Sequence, residues 1–182
     1  GTLIGGCMGI GNVRMSIYKT TYNFVGAGLY SISIKDPNMS NGICNIPASS
    51  TIPFTLQAEL VISSSLGTNT GVNYNEIPVI CDTVGIIAYY NSLASDPDGD
   101  SLFYEFIPLT SAGSSLPSTS NSFTIDSISG TVRWDAPDMI CNYVFDIRIT
   151  EWRNISGFYY YLGSTMQEVW SQVYLYSGIS DP

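Results

Sequence analysis

Ser95-Asp96-Pro97-Asp98-Gly99-Asp100-Ser101 runs directly into Leu102-Phe103-Tyr104-Glu105-Phe106-Ile107. The first half sets carboxylates at alternate positions on a segment that a proline and a glycine force to turn. The second half reads as a strand. Three hard oxygen donors on one turn repel each other unless a cation lies between them, and calcium takes six to eight oxygen ligands at flexible geometry. The same residues are also ordinary turn chemistry: Asp bonds its own backbone, Pro presets φ, and Gly supplies φ > 0. The run shares part of an EF-hand loop, but its spacing differs and no helical pattern flanks it.

Strand signals continue on both sides. Tyr30, Ile32 and Ile34 alternate with Ser31, Ser33 and Lys35; Phe54, Leu56, Ala58, Leu60 and Ile62 alternate with Thr55, Gln57 and Glu59. Phe145, Ile147 and Ile149 alternate with Asp146, Arg148 and Thr150, and Val169, Ser171, Val173 and Leu175 form a further set. A period of two gives one buried and one wetter face, and no stretch carries a helical period. Short strands between Gly, Pro, Ser and Asn turns predict an all-β chain of two tandem immunoglobulin-like antiparallel sandwiches. The polar stretch near 63–71 divides them: a short module over 1–66, a linker over 67–71, and a full-length sandwich over 72–182. Trp134 is expected in the core of the second.

Of the 182 residues, 45% are hydrophobic, enough for a core, while 12% are charged, about half the usual share. The net charge is −9, which repels nucleic acid and anionic membrane surfaces and suits divalent cations. No segment has the length of a membrane span, so no membrane insertion is expected. Cys7, Cys44, Cys81 and Cys141 contain no C-x-x-C pair, and an even count in an exported chain favours disulfides over free thiols. Of three pairings, Cys7–Cys44 with Cys81–Cys141 keeps each bridge within one half. The start at glycine suggests an excised piece of an exported precursor.

There is no histidine, the commonest general base. No Gly-x-Ser-x-Gly elbow and no phosphate-cradling glycine loop occurs. Glu105, Glu151 and Asp146 are the candidates for a glycosidase-type carboxylate pair, but they lie in alternating strands, and the expectation is a protein that is not an enzyme. Exposed aromatics are the rival feature. Tyr159 and Tyr161 share one strand face and are candidate ligand contacts for surface glycans, as in a carbohydrate-binding module.

The order DPDGDSLFYEFIP (96–108), FTIDSISGTVRWDAP (123–137) and YVFDIRITEWR (143–153) resembles the dystroglycan-type, cadherin-like repeats of large Bacteroidota surface proteins exported by the type IX system. GAGLYSISIKDPNMSNGICNIP (26–47) and PFTLQAELVI (53–62) resemble the polycystic-kidney-disease-like module that often precedes such repeats. The resemblance covers most of 24–175; residues 1–23 match poorly. It implies an extracellular structural or adhesive module of a cell-surface or filament-forming protein. Asp96, Asp98 and Asp100 then occupy the calcium-loop positions, with further oxygen donors among Asn75, Glu76, Asp146 and Glu151. Calcium is the implied cofactor. Like subunits or adjacent modules are the implied partners, with a neighbour's strand completing the short first module. Asp36, Asn38 and Asn41 form a second cluster that reads better as an Asx-rich turn. Thr83, Ser101 and Ser127 sit in the Asp-Ser/Thr-apolar signal for O-glycosylation in that phylum. Asn38-Met39-Ser40 and Asn154-Ile155-Ser156 fit the N-glycan sequon.

Overall fold

The computed structural model describes residues 2–4, 13–109 and 114–175. Eleven strands occur among them, with a single 3₁₀ turn at Ser49–Thr51 and no α-helix. A short antiparallel pair, β1 (Thr2–Ile4) and β2 (Val13–Met15), stands apart. The main sheet contains β3 (Gly28–Asp36), β4 (Phe54–Ile62), β5 (Val79–Thr83), β7 (Ser101–Ile107), β10 (Cys141–Ile155) and β11 (Phe158–Tyr174). A smaller sheet is built from β6 (Ala88–Tyr90), β9 (Val132–Pro137) and β8 (Thr119–Ile125), in that order.

The β10–β11 hairpin is the spine. Its two-residue turn holds Ser156 and Gly157 at φ 54° and 88°, as the twist of flanking strands requires. Asn154 Oδ1 accepts the Gly157 N–H at 2.9 Å and so secures the turn. One edge of β11 pairs with β10; its other edge is shared. β4 takes Gly163–Thr165 antiparallel, and β5 takes Trp170–Tyr174 in parallel. A Cβ on Gly163 would collide with the Glu59 carbonyl, so this approach of β4 requires glycine.

Strands on both sides of 67–71 therefore belong to one sheet. β3 and β4 pair along nine residues, but only three residue pairs bind β4 to β11. β3 exposes Leu29, Ile32 and Ile34.

The antiparallel all-β expectation holds. Phe145, Ile147 and Ile149 on β10 meet Tyr90, Phe123, Ile125 and Val132 from the smaller sheet. Phe123 lies with its ring centroid 5.1 Å from that of Phe145 and 4.8 Å from that of Phe106. Trp134 is fully buried, and its Nε1–H reaches the Ser118 carbonyl at 3.0 Å, which satisfies the one polar atom of the side chain.

The opposite face of β10, read as wet from its alternation, is covered at its Val144–Asp146 end. Residues 39–52 lie on it as a cap: Ile43 and Ile46 pack on Val144, with Met39, Ile52, Leu109 and Trp170 around them. Asn45, 5% exposed, pegs the cap in place. Its Nδ2 donates to the carbonyls of Val144 (2.6 Å) and Ser115 (2.8 Å), and its Oδ1 accepts the Val144 N–H at 3.1 Å. Cys44 beside it is bonded to Cys141. The pairing expected within each half is thus corrected: this bridge joins cap to spine across 97 residues, because the cap lies against the start of β10. Cys81 is also disulfide-bonded; Cys7 lies outside the described residues.

Candidate metal centre

The loop at 96–100 is both a turn and an acidic cluster. Asp96 Oδ1 accepts the N–H of Asp98 (2.9 Å) and of Asp100 (3.0 Å), and Gly99 takes φ 81°. That is the local Asx geometry the residue types favour. Fixing Asp96 in this way also gathers the acids: Asp96, Asp98 and Asp100 each offer a carboxylate oxygen within 4.8 Å of the others. Asp96 Oδ2 is buried with no protein partner.

β10 and the 66–70 segment complete the site. Glu151 and Arg153, two residues apart, point to the same side of the strand. Glu151 is 4% exposed and accepts Asn69 Nδ2 at 2.7 Å. Burial raises its pKa, Asn69 pulls it down, and the charges of Asp96 and Asp100 push it up again. Arg153 grips Asp100 with two parallel bonds, Nε to Oδ1 at 2.9 Å and Nη2 to Oδ2 at 2.6 Å. Its Nη1 donates to the carbonyls of Leu66 (2.5 Å) and Thr68 (2.8 Å). Thr70 donates its N–H to Asp98 Oδ2 at 2.5 Å. Loop, strand and the 66–70 segment are knotted through these polar side chains.

Arg153 alters the electrostatic reading. The sequence suggests that a metal alone relieves the crowding of the acids, but a guanidinium already neutralises part of it and is held above its usual pKa by Asp100. With Glu151 ionised, four carboxylates against one guanidinium still leave three net negative charges. The donor set is all oxygen and includes the orphaned Asp96 Oδ2, so the residues fit a hard divalent ion. Asp96 Oδ2 is the unengaged donor; Asp100 is bonded by Arg153, Asp98 lies 3.7 Å from the same guanidinium, and Glu151 borders the three clustered acids without being one of them. No sequence period pointed to Arg153, because its partners come from two segments more than fifty residues away, 66–69 and 98–100.

Two expected ligands lie elsewhere. Asp146 is six positions along β10 from Trp152, which pairs with Ser101 beside the loop, or about 20 Å at the rise of a strand. It is buried under the cap. Glu76 lies on the turn before β5, where its N–H reaches the Ser92 carbonyl and its side chain borders a separate depression with Tyr89 and Tyr90. Neither belongs to the acidic cluster. Asn75 is engaged with the Leu93 carbonyl at 2.7 Å. Asp36 Oδ1 accepts the Asn38 N–H at 3.3 Å, the Asx turn expected there.

The aromatic candidates separate. Tyr159, 59% exposed, lines a shallow groove with Phe103, Leu102, Ile128 and Trp152. Tyr161 instead bonds Glu59 at 2.5 Å and packs edge-on against Trp152, so its hydroxyl is already engaged. Ser101 is exposed at the start of β7, Ser127 is half-buried in the β8–β9 turn, and Thr83 is half-buried at the end of β5.

No family model and no curated protein matches the chain. One solved structure that it resembles is described as a nucleoside hydrolase-related hypothetical protein from Saccharophagus degradans that is associated with carbohydrate metabolism. The identity is 22% and the TM-score 0.39, over 63% of this chain and 28% of that one. The chain thus spans under a third of that protein. The expectation of a protein that is not an enzyme is corrected on this finding and is withdrawn. A likeness of this size carries no reaction, substrate or catalytic residue to the chain. No helix among the described residues is long and apolar enough to cross a membrane.

Proposed function

We propose that this chain is an extracellular structural and adhesive module of a bacterial surface or filament-forming protein, of the cadherin-like and polycystic-kidney-disease-like kind, stiffened by disulfides and by calcium at Asp96, Asp98 and Asp100. The observation that carries the reading is the knot around the loop. Three acids converge there with an orphaned buried oxygen, and the 66–70 segment is bonded into the same cluster. A cation there ties that segment to the spine, which is how a joint between strand-rich units is made rigid. Residues 72–175 contribute strands to both packed sheets, which supports reading them as an immunoglobulin-like sandwich. Residues 1–66 read as a dependent module that leans on it through β4 and the cap. The apolar outer strand β3 supports addition of a strand from a like subunit, since an open edge is a template for pairing. The Cys44–Cys141 bridge is compatible with an oxidising compartment.

A thermal melt in calcium against chelator tests the metal. Calcium at ten times its dissociation constant stabilises by about 1.4 kcal/mol, which for a chain of this size raises Tm by about 3–6 °C. Asp98→Asn should remove the loop's share of that gain. A wild-type Tm that is the same in calcium and in chelator sinks the calcium reading.

The groove favours a second reading, a carbohydrate-binding module. Trp152, Phe103 and Tyr159 offer flat apolar faces beside polar backbone, as sugar stacking requires. Glycan-array binding lost at least tenfold on Tyr159→Ala, and retained on Tyr161→Phe, is the expected pattern. Absence of binding to any polysaccharide removes the idea.

A further inference from the structure

The second place where the molecule concentrates unrelieved negative charge is under the cap. Asp146 on β10 and Glu168 on β11 stand directly opposite one another in register. Asp146 is 7% exposed, and no protein group hydrogen-bonds its Oδ1. Both carboxylates face a cavity of about 30 Å³, which also takes Thr55 from β4. Met39, Ile46, Ile52 and Leu109 close the cavity with apolar surface. Glu168 is also part of the wall of an adjoining cavity of about 240 Å³, where Asp36 and Asn38 stand beside Trp170. No lysine or arginine lines either cavity. Arg148, on the same side of β10 as Asp146, is engaged with Glu105 at 3.3 Å.

Burying a carboxylate without a partner is costly, and burying two side by side costs more. A shared proton would relieve one oxygen of the pair. It would leave unused the other oxygen donors nearby: Thr55 in the same cavity, Asp36 and Asn38 in the next. A small, half-open volume that brings together two carboxylates, a threonine hydroxyl and room for water is one a hard cation can take. The volume is enough for an ion with a water.

We propose that the cavity beneath the cap is a divalent-cation site of calcium type, with Asp146 and Glu168 as its anionic ligands and Thr55 and water supplying neutral oxygens. Bound there, the ion bridges the two central strands under residues 39–52 and seats the cap. This site is separate from the loop at 96–100 and does not depend on that loop binding metal.

Terbium, a calcium surrogate that indole sensitises at short range, reports on it directly through Trp170 beside Glu168. The experiment uses the oxidised chain carrying Asp98→Asn, so that the loop site is weakened. Titration with terbium alone should give tryptophan-sensitised emission that saturates and that excess calcium reverses. Adding Glu168→Gln should weaken the affinity at least tenfold, and Asp146→Asn, a second isosteric variant, should do the same. Trp170→Phe should lower the emission while the calorimetric affinity for terbium stays unchanged. Near-ultraviolet circular dichroism selects variants that keep native packing. Two results overturn the proposal: no saturable terbium binding by calorimetry in the Asp98→Asn chain, or binding that both carboxylate variants leave intact.

Discussion

Removing the Cys44–Cys141 bridge as a pair of serines should lower stability by about 4–5 kcal/mol, the chain-entropy value for a loop near 100 residues. The separation here is 97 residues. The bridge joins the cap to the first residue of β10, and the cap supplies one wall of the cluster formed with Val144. Asn45 next to it adds three hydrogen bonds to the main chain, all dependent on the cap staying down. Loss of the bridge should therefore loosen residues 39–52 first. Urea unfolding of wild type and the double serine variant gives the size of the effect. Hydrogen exchange across the cap and β10 gives its location. A loss under about 1 kcal/mol, with cap amides equally protected in both, would show that packing alone holds this segment.

Metal-free protein should lose stability as pH rises from 4 to 8, and Asp146→Asn should remove much of that loss. Burial pushes the Asp146 carboxyl up to about 7. Burial first, and then the neighbouring charge of Asp146, push Glu168 up to about 8. In the unfolded chain such groups release their protons near pH 4. Between these limits the folded state binds more protons, so stability falls as pH increases. The contribution is full below about pH 4 and gone above about pH 8. A shift of about three pH units in one carboxyl corresponds to about 4 kcal/mol, and the two groups titrate as a coupled pair. In chelator at pH 8 the variant should melt well above wild type; at pH 4 the two should be close. Parallel pH–stability curves would refute the unrelieved pair. Calcium at pH 8 should recover much of the wild-type deficit, because an ion then does what the lost proton did.

The loop at 96–100 was legible because its chemistry is local. Alternating acids around Pro97 and Gly99 converge through bonds to Asp96 that span at most four residues. Phe54–Ile62 was legible for the same reason, since a period of two is written along it. Trp134 lies in a strand where Val132 and Trp134 alternate with Arg133 and Asp135. Asp146 was misread because its neighbours Phe145 and Ile147 form a core face, which makes it look solvent-facing. Its cover comes from the cap, and Asn45 and Val144 are 99 residues apart. Glu76 and Asp146 were expected at the loop as further oxygen donors implied by the family resemblance, which does not fix their position in this chain.

The chain's own pattern determined that it folds as antiparallel strands and that one turn gathers three acids. Both follow from interactions among residues a few positions apart, where backbone geometry leaves few choices. Only the tertiary structure decided that β4 joins β11, that Cys44 finds Cys141, that Arg153 enters the acidic turn, and that Asp146 meets Glu168 beneath the cap. Each of these pairs groups far apart in sequence. Which distant surfaces meet depends on how whole sheets and the cap bury their apolar faces, a property of the assembled molecule rather than of any segment.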